Sequence, residues 1–197
     1  MILTMALKGR KFCLITTIVL LSSYAFAQNC ENGAFAAPVL KYTRLTGQSA
    51  LIFGGKGGWI INKRIVLGAG YYALTSDVSS DFTDEEYNQN LLLEFNYGGL
   101  EFEYLVLYES RYNLSINMLM AGGGLNFYLK NINKNFSGRN LLVWEPQLNF
   151  EVELYEWFHA DAGVSYRMIS GYTEVYNISK NDLQGINVLL TLKIGEY

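Results

Sequence analysis

The clearest alternation of apolar and polar positions runs from Trp144 to Leu154. Even positions there are apolar, and the odd positions are Glu145, Gln147, Asn149, Glu151 and Glu153. Because successive side chains of a strand point to opposite faces, this segment is predicted to be a strand between an apolar and a polar medium. A helix with the same residues would spread its glutamates around its whole circumference.

The same period-two pattern predicts eight strands in all. They are Val39–Leu45, Ser49–Ile60, Arg64–Leu74, Leu91–Val106, Asn113–Lys130, Trp144–Leu154, Phe158–Met168 and Ile186–Ile194.

In the fourth strand the alternation changes parity. Leu91 to Tyr97 are apolar at odd positions, whereas Leu100 to Val106 are apolar at even positions, and Gly98 and Gly99 lie between the two runs. A one-residue slip at paired glycines is typical of a β-bulge. We therefore predict a bulge there and a similar one at residues 122–124.

The lengths of the connections favour one architecture. Three long polar connections, residues 76–89, 131–139 and 171–182, alternate with tight turns. Outer-membrane β-barrels have long extracellular loops and short periplasmic turns. The chain is therefore predicted to be all-β, an eight-stranded antiparallel up-and-down transmembrane β-barrel. A soluble periplasmic lipocalin-like barrel that binds a small ligand is the alternative.

The N-terminus has the features of a cleavable signal peptide. Lys8, Arg10 and Lys11 precede a short apolar run, and Ala25 and Ala27 form a cleavage signal. The predicted organisation is a signal peptide at 1–27, a short N-terminal segment at 28–36 and the barrel at 37–197. Export to the cell outer membrane follows from this prediction.

Composition excludes several classes of function. Cleavage would take the net charge from −3 to −6, because the signal peptide carries three positive charges and no negative ones. Such an acidic chain is not expected to bind nucleic acid. Cys30 would be the only remaining cysteine, which leaves no internal disulfide or cysteine cluster for zinc. A mean hydropathy of +0.10 with 15% aromatic residues is apolar for an exported protein.

The chain resembles small eight-stranded outer-membrane barrels of the OmpA/OmpX type, and more closely uncharacterised barrels from Bacteroidota. The resemblance implies a fold and a location in the outer membrane, and it carries no catalytic residues. It rests on APVLKYT at 37–43, GGKGGWIIN at 54–62, YGGLEFEY at 97–104, EPQLNFEVE at 145–153 and GVSYR at 163–167.

A barrel of eight strands is just wide enough for side chains to fill its interior. We predict a structural cluster of charges in this lumen. Its members are Lys56, Glu94, Glu101, Glu103, Glu145, Glu151, Glu153, Asp161, Arg167 and Lys193. A cation pathway or proton relay is the functional alternative to a polar plug without an open pore.

No catalytic, cofactor or metal site is expected. His159, Asp161 and Ser165 alternate along one strand, and Ser165 would lie roughly 20 Å from His159, too far for a catalytic triad. A lipid-modifying outer-membrane enzyme remains an alternative that needs residues from other strands. The acidic residues of the loop 76–89 do not have the spacing of a standard calcium loop.

The expected partners follow from the predicted location. They are outer-membrane lipid, lipopolysaccharide and the barrel-assembly machinery, and we expect a monomer. Any extracellular ligand would bind at loops 76–89, 131–139 and 171–182. The outer face should carry interface aromatics, namely Trp59, Tyr71, Tyr72, Tyr104, Tyr108, Trp144 and Trp157.

Overall fold

A computed structural model describes residues 32–84, 89–108, 111–129, 134–175 and 177–196. The predicted signal peptide at 1–27 and Cys30 lie outside these residues. Nothing helical in the described part of the chain has the length and apolar character needed to cross a membrane.

The described residues form nine strands and one short helix. They are β1 Gly33–Leu45, β2 Gln48–Ile61, β3 Ile65–Leu74, β4 Ser79–Asp84, β5 Gln89–Tyr108, β6 Tyr112–Leu129, β7 Lys134–Tyr155, β8 Phe158–Ser170, α1 Lys180–Leu183 and β9 Gly185–Glu196.

Eight of these strands close into an antiparallel barrel, as predicted. Each barrel strand pairs with the next barrel strand along the chain, so that β3 pairs with β5. The pairing of β1 with β9 closes the ring. The short strand β4 pairs only with β5. If paired residues are followed from strand to strand once around the ring, the path returns to β1 at a position ten residues further along that strand, which is a shear number of ten. For eight strands, this stagger corresponds to a tilt of about 40°.

The two ends of the barrel differ. We call the end where β1 begins and β9 ends the terminal end. The turns at 62–64 and 156–157 and the connection between β5 and β6 also lie there. The opposite end, the loop end, carries the turn at 46–47 and the connections between β3 and β5, β6 and β7, and β8 and β9. The segment 171–184 at the loop end contains α1.

Several predicted boundaries were wrong. β1 begins at Gly33 instead of Val39, so part of the predicted segment 28–36 belongs to the barrel. Most of the predicted loop 131–139 is strand, because β7 begins at Lys134. β5, β6 and β7 have 20, 18 and 22 residues, whereas about 9–11 are enough to cross a bilayer. These three strands therefore extend beyond the others at the loop end.

The two predicted bulges at glycines were also wrong. β5 pairs with β6 in one unbroken register from Leu92 to Leu105, and the shift comes only after Leu105. Odd residues face the interior on both sides of Gly98 and Gly99, since Tyr97 and Glu101 are both buried. The inner face of β5 is therefore continuous, and the parity change in the sequence marks the point where this face changes from apolar to acidic residues.

Glycines on the inner wall make room for large side chains. A Cβ atom at Gly54 would collide with the ring of Tyr72, and one at Gly70 would collide with Tyr72 and Glu101. The glycines let β2 and β3 pack closely against these two side chains.

Candidate functional site: the charged interior of the barrel

Eight of the ten predicted lumenal residues lie inside the barrel. Each is at most 7% exposed: Lys56, Glu101, Glu103, Glu145, Glu151, Asp161, Arg167 and Lys193. They come from β2, β5, β7, β8 and β9, because the pleat of each strand turns every second residue inward. Glu153 has the same parity as Glu151 but is only half-buried, near the terminal end.

The prediction was wrong for Glu94. Its side chain is exposed on the outer face of β5, where the Asn126 amide donates to it at 3.4 Å. The physical reason is the continuous register of β5, which turns Leu93 and Phe95 inward and leaves Glu94 outside.

Lys41 is an interior residue that the sequence analysis missed. It is fully buried on β1, where Leu40 and Tyr42 point outward. The alternation of Leu40, Lys41, Tyr42 and Thr43 was the signal that could have identified it.

Lys41 belongs to a group of polar side chains around Glu145, which we call the Glu145 cluster. The Lys41 ammonium donates to the Glu145 carboxylate at 2.8 Å and lies 3.6 Å from the centre of the Tyr72 ring. Three further donors reach the same carboxylate: Tyr97 at 3.0 Å, Ser165 at 2.6 Å and Asn187 at 3.2 Å. The buried negative charge is thus paired and hydrogen-bonded, which limits its desolvation cost.

Arg167 connects this cluster to the loop end. Its guanidinium donates to the backbone carbonyl of Leu183 at 2.7 Å, to the side chain of Asn187 at 3.0 Å and to Thr43 at 3.3 Å. Leu183 itself is completely buried at the end of α1. The arginine therefore fixes the C-terminal end of α1 against the barrel interior.

A second group, the Lys193 cluster, is formed by Lys56, Glu101, Glu103, Glu151, Asp161 and Lys193. The Lys193 ammonium lies 2.6 Å from Glu151, 3.0 Å from Asp161 and 3.3 Å from Glu103. Lys56 lies 3.6 Å from Glu101 and 3.8 Å from Glu103. Two ammonium groups thus bridge carboxylates from three strands, β5, β7 and β8.

Neutral side chains complete the shell of the Lys193 cluster. Glu103 accepts from Ser115 at 2.5 Å, Glu101 accepts from Asn117 at 2.9 Å, and Glu151 accepts from Asn113 at 2.8 Å. The hydroxyl of Tyr72 also donates to Glu101. His159 Nδ1 lies 3.1 Å from Glu151. Glu101, Glu103 and Glu151 are thus hydrogen-bonded as well as paired with lysines.

The interior is packed around these charges. A cavity beside Glu151 and Lys193 has a volume of about 10 Å³, close to the lower limit for one water molecule. Toward the loop end, apolar side chains fill the barrel. This loop-end core includes Leu45, Leu91, Phe95, Leu125, Phe127, Ile178 and Leu183.

His159 and Ser165, which share a strand, belong to different clusters. His159 contacts Glu151, whereas Ser165 donates to Glu145 in the other cluster. Across the residues that the structure describes, no set of three or more His, Cys, Asp or Glu side chains is arranged to hold a metal ion.

Comparison with solved structures gives outer-membrane barrels at low sequence identity, including the following three. The N-terminal β-barrel domain of Pseudomonas aeruginosa OprF matches with a TM-score of 0.58 and 11% identity, covering 85% of this chain and 99% of that one. Neisserial surface protein A matches with a TM-score of 0.59 and 11% identity, covering 83% and 96%. Ail of Yersinia pestis, in complex with sucrose octasulfate, matches with a TM-score of 0.52 and 10% identity, covering 84% and 98%.

At this identity the likeness concerns the fold. No protein-family model matches the chain, and no curated protein sequence matches it. The chain thus shares its closed eight-stranded barrel with these three proteins.

Proposed function

We propose that the protein is an outer-membrane β-barrel with a side-chain-filled interior, no open pore, and a structural or surface-interaction role. The observation that carries this proposal is the distribution of chemistry across the wall. Apolar side chains cover the outside, and charged side chains are buried within.

The outer face has far more exposed apolar side chains than a soluble protein tolerates. Leu100 and Ile186 are 66% and 67% exposed, and comparable residues occur on all eight barrel strands. A soluble monomer rarely exposes a continuous apolar patch larger than about 300–600 Å². An apolar band that encircles a barrel is the surface that lipid covers.

Aromatic residues support the same location. Trp59, Tyr104 and Trp157 point outward near the terminal end, and Tyr71 and Trp144 point outward closer to the loop end. Such aromatic residues flank the apolar band of membrane barrels. The prediction for Tyr72 was wrong, because that residue faces the interior; the side chain of Tyr108 lies outside the described residues.

The outer face becomes polar near the loop end. Glu94 and Asn140 are exposed there, whereas Leu100 and Leu142 form the end of the apolar band on the same strands. We infer that the membrane boundary crosses β5 and β7 between these positions. The tight turns of the terminal end would then face the periplasm, and the loop end would face the outside.

This arrangement is opposite to that of a lipocalin-type barrel. A soluble barrel that binds a small apolar ligand needs an apolar lining around a cavity and a polar outer face. Here the Lys193 cluster and the Glu145 cluster fill the middle of the barrel. We therefore favour the membrane protein.

We propose no catalytic role, and we do not extend the sugar ligand of Ail to this chain. An anionic polysaccharide would require a basic surface, and the loop end is mixed. Its charged side chains include Arg44, Asp77, Glu94, Arg139, Glu174 and Lys180.

The location is tested by extracting outer membranes with detergent and comparing electrophoretic migration of unheated and boiled samples. A folded outer-membrane barrel is expected in this fraction and should migrate differently after boiling, because the closed sheet resists detergent until heated. Recovery in the soluble periplasmic fraction would refute the proposal.

The absence of a pore is a separate prediction. In planar lipid bilayers, the purified barrel should produce no single-channel steps, because ion clusters and apolar side chains occupy its axis. Regular openings of uniform size would show that the interior conducts, and the cation-pathway alternative would replace the plug.

A further inference from the structure

Unpartnered polar groups line one side of the interior. The side-chain atoms Asn113 Oδ1, Asn117 Oδ1, Gln147 Nε2 and Asn149 Nδ2 are buried and have no hydrogen-bond partner among the described residues. The Asp161 carboxylate has an ion pair with Lys193, yet it accepts no hydrogen bond there. We call these five residues the amide wall.

The members of the amide wall are neighbours on adjacent strands. Asn117 of β6 lies opposite Gln147 of β7, and Asn113 lies opposite Glu151. Glu151 in turn lies opposite Asp161 of β8. Asn149 faces inward between Gln147 and Glu151. Side chains directly opposite in a sheet have Cβ atoms about 4.5–5.5 Å apart, so these groups form one continuous polar surface.

Leaving so many buried polar atoms unsatisfied would be costly. Each such atom destabilises a folded protein, because it has lost its bonds to water without gaining a new partner. Native proteins usually satisfy buried polar groups with protein partners or ordered water. The wall therefore requires a ligand that reaches between its side chains.

The chemistry of the wall identifies this ligand. The Asn113, Asn117 and Asp161 oxygens are acceptors, whereas the Gln147 and Asn149 nitrogens are donors. The donor and acceptor atoms of Asn113 and Asn117 are fixed, because their Nδ2 groups already donate to Glu151 and Glu101. A cation could satisfy the oxygens but would be repelled by the amide N–H groups. Water can both donate and accept.

We propose that internal water molecules bridge the side chains of the amide wall. They lie between Glu151 and Gln147, which is opposite Ser165 of the Glu145 cluster. Apolar side chains enclose this hydrated layer on both sides along the barrel axis. They are the loop-end core on one side and Phe35, Ile60, Val66 and Leu105 toward the terminal end.

The test is NMR spectroscopy of the folded protein in lipid nanodiscs, measuring magnetisation transfer from water to side-chain amides. Gln147 and Asn149 should show water contacts. Asn187 is a matched control, because it is equally buried and its Nδ2 donates to both Ser165 and Glu145. Its amide should show no water contact.

Two outcomes would overturn the proposal. One is the absence of water contacts at Gln147 and Asn149, which would mean that the side-chain amides form hydrogen bonds directly with one another. The other is equal water contact at Asn187, which would mean that hydration is not confined to the wall.

A variant keeps the proposal testable if the wild-type signals overlap. Gln147→Met removes the donor and keeps the side-chain shape. It should abolish one water contact and leave that of Asn149, while the other amide signals stay at their positions. Loss of both water contacts together with a general change in the spectrum would show that the side chains of the amide wall have rearranged. That result would contradict the proposal that separate water molecules bind at Gln147 and Asn149.

Discussion

Two neighbouring parts of the barrel interior differ in chemistry, although the same continuous strands run through both. In the loop-end core, Phe95, Leu125 and Phe127 are buried among apolar neighbours. In the part closer to the terminal end, the interior is occupied by the Glu145 and Lys193 clusters. β5 contributes to both parts, with Phe95 in one and Glu103 in the other.

The outer surface changes in the opposite sense. Outside the loop-end core the wall carries Glu94 and Asn140, whereas outside the charged clusters it carries residues such as Leu100 and Leu148. The loop-end part thus has the polarity of a soluble barrel, and the rest has the polarity of a membrane barrel. The medium outside the wall decides which face of each strand is polar.

The two parts should also differ in what stabilises them. The loop-end core gains free energy from burial of apolar surface. In the charged part, every carboxylate depends on its partner, because an unpaired buried charge is strongly destabilising. Substitutions can therefore test the comparison one part at a time.

The largest effect is expected from Lys193→Met. The change removes the ammonium that contacts Glu103, Glu151 and Asp161, and should lower the free energy of unfolding by about 4 kcal/mol. Urea unfolding of the protein in detergent micelles, followed by tryptophan fluorescence, measures the change. Lys180→Met, at an exposed position of α1, is the control and should have little effect. Equal midpoints for the two variants would contradict a stabilising role of the Lys193 cluster.

A slightly smaller effect is expected from Phe95→Ala in the loop-end core. Phe95 is fully buried, so truncation should cost about 3 kcal/mol through lost apolar contacts and a cavity. The matched control is Phe150→Ala, because Phe150 lies on the outer face and is 47% exposed. The same unfolding assay should show a clearly smaller loss for that variant. A larger loss at Phe150 would mean that the loop-end core contributes little stability.

A third prediction concerns the outer face. Leu190→Arg places a charge in the apolar band, half-exposed on β9, and should cost about 2–3 kcal/mol in lipid vesicles. Asn140→Arg makes the same change above the proposed membrane boundary and should be nearly neutral. Urea unfolding in vesicles gives both values. If both arginines are tolerated equally, the apolar band does not face lipid.

The sequence predicts the fold well, because successive side chains of a pleated strand point to opposite faces and so give the sequence a period of two. In β7, apolar residues outside and polar residues inside alternate without exception through the charged part. In β9 the same alternation is interrupted inside only at Leu189, which is buried between Asn187 and Thr191. These faces were assigned correctly. The closed ring of eight strands followed from the number of such segments and the lengths of their connections.

The errors in β5 share one physical cause. The assignment assumed that the apolar face of every strand points outward along its whole length. In β5 the apolar face points inward at Leu93 and outward at Leu100. Periodicity alone cannot distinguish a bulge from a change of medium, so the sequence suggested a slip at Gly98. The pairing of Lys41 with Glu145 could not be predicted either, because those residues are distant in the sequence.

Glu94 provides the last and smallest test of the comparison. If Glu94 lies on a solvated outer face, Glu94→Gln should change the free energy of unfolding by less than about 0.5 kcal/mol. Glu103→Gln on the same strand removes a carboxylate between Lys56 and Lys193 and should be far more destabilising. Urea unfolding measures the loss of unfolding free energy for each variant, and the comparison of the two losses tests whether Glu94 lies outside the wall and Glu103 inside it. Similar losses would indicate that Glu94 lies in the interior, as the predicted bulge at Gly98 and Gly99 requires.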